Sequence, residues 1–173
     1  GHIYSGHNGG DTRGFHYVQG GYYRKGFGKH GALSNPYTFG YFAHMKHHSV
    51  PRFTHNFILY EADVLPDDYR GRLFGIEPLQ GQVVMSRFEP FQSSFQTEDI
   101  SRPVQTDDQW FRPVDIKKGP DGCIYVADMY EQRIDHSSHY AGRIDRTNGR
   151  IYRLRPHEMP QPDTFDYAQM SGE

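Results

Sequence analysis

Apolar and polar residues alternate in short runs along most of this chain, a period of two that suits half-buried strands. The longest stretch free of Gly and Pro is 123–141, and inside it Ile124 and Val126 alternate with Tyr125 and Ala127. No apolar stripe recurs at helical spacing. One short pattern appears four times: Gly, any residue, Ile or Leu, then Tyr or Phe. Its copies begin at Gly1, Gly71, Gly122 and Gly149. The last three follow Tyr-Arg, Pro-Asp and Thr-Asn. Asp-Gly and Asn-Gly are strong hairpin signals, because Gly tolerates positive φ and Asn or Asp does so better than most. The branched and aromatic pair that follows suits a pleated surface.

These signals predict strands at about 2–6, 15–23, 54–60, 72–77, 82–88, 95–100, 114–117, 123–129, 133–136 and 150–155. Glu89-Pro90 and Leu79-Gln80-Gly81 punctuate the middle ones. A long loop is expected over 24–51. Four short strands in about 40–50 residues is the spacing of a β-propeller blade. The expected fold is all-β, a partial β-propeller of two to three blades. Blade-like units fall at about 1–51, 52–102 and 103–156, and 157–173 reads as a C-terminal linker. A closed propeller needs at least four blades, so the chain reads as a segment of a longer one.

Composition refines this picture. Aromatic residues make up 15% of the chain, with 13 Tyr and 12 Phe, and these offset a modest aliphatic content. A formal net charge of −2 disfavours nucleic acid as the main partner. No run approaches the ~20 apolar residues of a membrane span. The single cysteine, Cys123, excludes an internal disulfide and a Cys-x-x-Cys-His haem site within these residues.

Two polar clusters are candidate sites. The first is the Gly-rich bend holding His7, Asn8, Asp11 and Arg13, followed by His16; it reads either as a ligand-contacting loop or as an internally bonded turn. The second is Arg112 with Asp115 and Asp128. There Arg112 either grips a carboxylate in bidentate fashion or joins two sheets by an ion pair with one of those aspartates. The residues six past each repeat glycine are His7, Glu77, Asp128 and Arg155, which either line a channel or mark where strands leave the core. His44-x-x-His47 and His136-x-x-His139 lack four-ligand zinc spacing and read as solvated loop histidines; no metal site is expected from them.

The stretch Phe111-Arg112-Pro113-Val114-Asp115 to Gly119-Pro120-Asp121-Gly122-Cys123-Ile124-Tyr125-Val126-Ala127-Asp128 resembles the propeller of the PVC-type haem-binding, membrane-bound dehydrogenase-like family. So do Gly6–Gly14 and Tyr69–Phe74. That propeller is similar to those of sorbosone and soluble glucose dehydrogenases. The resemblance implies a six-bladed propeller in the periplasm or outside the cell, next to a c-type cytochrome domain elsewhere in the protein. It implies hydride transfer from a carbohydrate or alcohol to pyrroloquinoline quinone, near calcium, or to that haem domain. Arg112 would contact the quinone, and His7, Asp11 and Arg13 the substrate hydroxyls. The relatives' catalytic His would lie upstream of Ile3, and Gln80 stands where their quinone-contacting Lys is expected. The alternative is a non-catalytic propeller module that binds carbohydrate or protein.

Overall fold

The computed structural model describes residues 1–8, 12–23, 36, 37, 39–48, 54–133, 135, 137, 140–142 and 144–159. Among these, twelve strands form four sheets. In chain order they are β1 (Ile3–Ser5), β2 (Phe15–Tyr17), β3 (Tyr22–Tyr23), β4 (Tyr41–Phe42), β5 (Lys46–His47) and β6 (Phe57–Tyr60). Then come β7 (Arg72–Glu77), β8 (Gln82–Phe91), β9 (Ser94–Gln105), β10 (Pro113–Lys118), β11 (Ile124–Asp128) and β12 (Arg150–Leu154). The chain is all-β, and its sheets close into no barrel. Among the described residues no helix is long and apolar enough to cross a membrane.

The largest sheet has the order β5-β9-β8-β7-β6. Strands β6 to β9 are an antiparallel meander, and β5 joins the edge of β9 in parallel through Lys46 and His47. The second sheet, β10-β11-β12, is a three-stranded antiparallel meander. Strands β1 and β2 pair antiparallel, and β3 and β4 pair in parallel.

Each repeat glycine is followed by a strand, namely β1, β7, β11 and β12. Gly71 and Gly122 hold φ of 72° and 77°, the left-handed region that glycine occupies at little cost. A side chain at Gly122 is also barred by space, because a Cβ there would lie 2.6 Å from Val64 Cγ2. The repeat does not mark one sheet per copy: β11 and β12 are neighbours in the same sheet.

Parity explains the packing. Alternate residues of β6 to β8 point to opposite faces. Tyr60, Phe74, Ile76, Val83 and Met85 meet Ile116, Ile124 and Val126 of the second sheet in the main apolar cluster. Phe57 and Leu73 face the other way and pack with Met45, Tyr4 and Phe88. The five-stranded sheet is therefore a middle layer, with the β10–β12 sheet on one face and the N-terminal segment on the other. Strand β10 lies against β6 and β7. Asn56 Nδ2 donates to Asp115 Oδ1 at 2.6 Å across that junction.

Three sequence expectations differ from the structure. Strands β8 and β9 run through Pro90 and Pro103, although Pro90 reads as a stop. Beyond Ser86 the strand β7 no longer pairs with β8, and β5 covers β9 only at Gln96 and Thr97. Both prolines therefore sit where one strand edge has no partner, and the missing N–H costs no ladder bond. Arg133 belongs to no strand, while residues 134 and 136 lie outside the described residues. The expected loop over 24–51 contains β4 and β5, whose partners are distant in sequence. The expected linker is described only to Met159.

Ile124 is fully buried between the two larger sheets, whereas Ile151 of the neighbouring strand is 75% exposed. Ile124→Ala should cost about 2–5 kcal/mol. Ile151→Ala should stay within about 0.5 kcal/mol. Urea unfolding of both variants measures the contrast, and equal losses would refute the layer assignment.

Candidate functional site

Two of the residues named from the sequence, Arg112 and Arg13, reach the β7–β8 turn, where Glu77 ends β7 and Pro78 follows. Arg112 reaches this turn from the second sheet. Its Nη1 donates to the Pro78 carbonyl at 2.5 Å, and its Nε to the Glu131 carbonyl at 2.7 Å. Its Nη2 donates to the carbonyls of Gln109 at 2.9 Å and Gln132 at 2.6 Å. A guanidinium has five N–H donors, and main-chain carbonyls take four of them. Burial lowers the Arg112 pKa, while Asp128 and Glu131 pull it back up.

Arg13 reaches the same turn from the opposite face of the middle sheet. It pairs with Glu77, and both side chains are fully buried. Its Nε donates to Asp99 Oδ1 at 3.1 Å, Nη2 bonds Asp99 Oδ2, and Nη1 also donates to Thr54 Oγ1 at 3.0 Å. Gln82 donates to the second oxygen of Glu77, and Ser86 Oγ to Asp99 Oδ1 at 2.8 Å. The Arg13 fork is thus held by two carboxylates within the protein.

The other named residues do not form one cluster with these two. His7 forms an isolated bridge with Thr54, and its ring lies 4.8 Å from that of Phe15. Asn8 is exposed, and Asp11 lies outside the described residues. His16 sits apart from Arg112: it lies by Ser94 at the far end of β8, with Oγ to Nδ1 at 3.5 Å. Ten residues of strand separate the two positions, about 30 Å at ~3.3 Å per residue. Asp115 accepts from Asn56, Ile116 N and Lys117 Nζ. Burial pushes its carboxyl pKa up, but these bonds outweigh it and hold the pKa below the usual range. Asp128 Oδ1 accepts from the Arg112 and Tyr130 N–H groups, each at 2.8 Å. Its Oδ2 is buried without a hydrogen bond, and Arg150 Nη1 lies 3.9 Å away.

The His47 side chain is buried, with Nδ1 2.7 Å from Thr97 Oγ1 and Nε2 3.7 Å from Asp99 Oδ1. His44 and His47 join no larger ligand set. Among the described residues no three His, Cys, Asp or Glu side chains gather to hold a metal ion. His136 and His139 lie outside the described residues.

Arg112 does more than join sheets, because its carbonyl partners belong to two loops at one end of the second sheet. Gln109 lies in the β9–β10 connection, while Glu131 and Gln132 open the long β11–β12 connection. Between these loops lies an open cleft of about 790 Å³. Its lining includes Trp110, Gln132, Arg133, Asp145, Arg146 and Thr147. Trp110 is the chain's single tryptophan and is half-buried. Its ring lies 5.6 Å from that of Tyr130, at 30°. The Arg150 guanidinium is 3.9 Å from the Tyr130 ring centroid. Tyr130 holds φ of 52°, a left-handed conformation that costs about 1–2 kcal/mol for a residue with a side chain. Asp128 steadies it through the Tyr130 N–H. Asp145 has its pKa lowered to about 2, chiefly by the Asn148 amide and then by Thr147, so it is an ionised acceptor at the cleft wall.

Sequence comparison adds a family. Residues 30–158 match the model of a domain of unknown function, DUF7133. The chain belongs to this family. The match spans both larger sheets, Arg112 and the Trp110 cleft, and it begins after Arg13 and His16. No curated protein and no solved structure matches the chain.

The groups implied by the dehydrogenase resemblance find a poor fit in these residues. A quinone carboxylate needs a free bidentate fork, and Arg112 in this DUF7133 domain keeps one N–H uncommitted. Calcium takes six to eight oxygens, and the buried Asp128 Oδ2 is a single acceptor.

His16 supplies a test of the N-terminal packing. Burial lowers its pKa, and the neighbouring His2 lowers it further. Below the unfolded value of about 6.5 the unfolded chain therefore binds a proton that the folded chain resists. The His16 contribution should be complete above pH ~6.5 and decline as pH falls through and below that value. Thermal unfolding from pH 7.5 to 5 should show a smaller loss for His16→Phe than for wild type. Parallel pH profiles would contradict the assignment.

Proposed function

We propose that this DUF7133 domain is a segment of a β-propeller that binds a neutral carbohydrate in the cleft beside Trp110. Support for the propeller comes from two consecutive antiparallel meanders whose first strands, β6 and β10, lie side by side. A middle sheet covered on both faces is what a blade between two neighbours requires. The N-terminal segment would then belong to a third blade.

The observation that carries the binding function is Trp110 at the wall of a cleft lined by planar polar side chains. An indole offers a broad apolar face for the C–H surface of a pyranose ring. Gln132, Arg133 and Arg146 bring donors to the lining of a pocket of small-molecule size, while Asp145 is held in place by Thr147 and Asn148 and Arg133 pairs with Asp135. A strained residue and a long connection at the same cleft accord with a functional site. Arg112 acts as a positioning residue, holding the loop of Trp110 to the loop of Gln132. A dehydrogenase reading draws on the resemblance at 111–128 and would make the same ligand a hydride donor. Its acceptor contact rests on Arg112, whose donors are largely committed, so binding is the reading we favour.

Because the chain has one tryptophan, its emission reports on the cleft. Titration with a panel of neutral mono- and oligosaccharides should give a saturable emission change for at least one member. Trp110→Ala should weaken the binding of that sugar at least tenfold by calorimetry. No saturable change across the panel, or full affinity in Trp110→Ala, would refute the proposal.

A further inference from the structure

From Thr12 to Tyr60 the chain has six Lys or Arg and six His but no Asp or Glu, although its net charge is −2. This stretch contributes β2 to β6. It also forms one wall of a cleft of about 370 Å³ whose other wall is the tip of the β8–β9 hairpin. The cleft lies at the hairpin end of β8, away from the Trp110 site.

Aromatic rings line both sides: Tyr23 and Phe42 on the N-terminal wall, Phe91 and Phe95 on the hairpin. Lys46 is the one Lys or Arg among the described lining residues, and no carboxylate lines the cleft. The Lys46 Nζ lies 4.5 Å from the Phe91 ring centroid and pairs with no carboxylate among the described residues. The nearby Glu89 and Glu98 are paired with Arg87 instead. Burial lowers the His16 pKa, and its ring nitrogens lie 3.0 Å from His2 Nδ1 and 3.5 Å from Ser94 Oγ. At the hairpin tip Gln92 holds φ of 53°, where glycine is the easier residue, and its side chain lines the cleft beside Ser94.

We propose that this cleft is a second binding site, for a single cyclic sugar acid such as a uronate. The carboxylate pairs with Lys46, which has no anion to displace among the described residues. The ring face packs on the aromatic walls. Gln92 and Ser94 bond the hydroxyls. The volume lies near the lower end of small-molecule sites, so one ring fits better than a chain of them. Neutral sugars lose the ion pair, and small inorganic anions lose the aromatic contact.

Calorimetric titration with glucuronate, glucose and sulfate tests this directly, using wild type, Lys46→Gln and Trp110→Ala. Lys46 is exposed, so its replacement leaves the core intact. In the Trp110→Ala background, where the first cleft is disabled, glucuronate should bind at least tenfold more tightly than glucose. Lys46→Gln should remove that preference, and Trp110→Ala should leave glucuronate affinity within twofold. Sulfate at equal concentration should compete weakly. The proposal is overturned by equal binding of glucose and glucuronate, by unchanged glucuronate affinity in Lys46→Gln, by full competition from sulfate, or by no glucuronate binding. None of these outcomes touches the Trp110 site, which is read separately from tryptophan emission.

Discussion

The fold depends on how one short turn is gripped from two sides. Glu77 and Pro78 are consecutive, yet each is bound by a different arginine on a different face of the middle sheet. Arg13 takes the Glu77 carboxylate from the N-terminal layer. Arg112 takes the Pro78 carbonyl from the second sheet. Apolar burial drives the three layers together, but it is not directional. The two arginines supply direction, since a planar fork fixes both distance and angle. Removing either would leave buried acceptors without donors, which costs far more than an exposed pair would contribute.

This arrangement changes what the polar clusters are for. Groups that look available for a ligand in the sequence are used by the protein itself. Arg13 is neutralised by Glu77 and Asp99, and Arg112 serves the carbonyls of two loops. Among the described residues, open surfaces include the cleft those loops frame around Trp110 and the cleft at the opposite end of β8, whose described lining holds no carboxylate. Structure and the proposed function are connected through Arg112, since the bonds that join the sheets also tie together the loops that wall the first cleft.

Much of the β framework was legible in the residues. Strand β7 begins and ends where its pattern does, at Arg72 and Glu77, because Gly71 and the Leu79-Gln80-Gly81 turn bracket it. Strand β12 follows its Asn-Gly signal in the same way. Pro90 misled, because a proline stops a strand only if both its edges are paired. The parallel pairs of β3 with β4 and β5 with β9 left no local trace, since their partners are far apart in the chain. The sites were harder to read. Main-chain carbonyls have no residue identity, so nothing in the sequence shows that Arg112 would bind four of them. Glu77 is separated from Arg13 by 64 positions, and only the fold brings them together. The Trp110 cleft had a readable signal, a lone tryptophan before a long connection, but an expected strand at 133–136 hid the length of that connection.

A double-mutant cycle between Arg13 and Arg112 is the most direct test of the shared turn. Arg13→Gln, Arg112→Gln and the double variant would be compared with wild type by urea unfolding. If both arginines hold the same junction, the second loss costs less once the first has freed it. The account predicts a coupling of roughly 0.5–3 kcal/mol. Costs that add to within about 0.5 kcal/mol would show two independent contacts and contradict it.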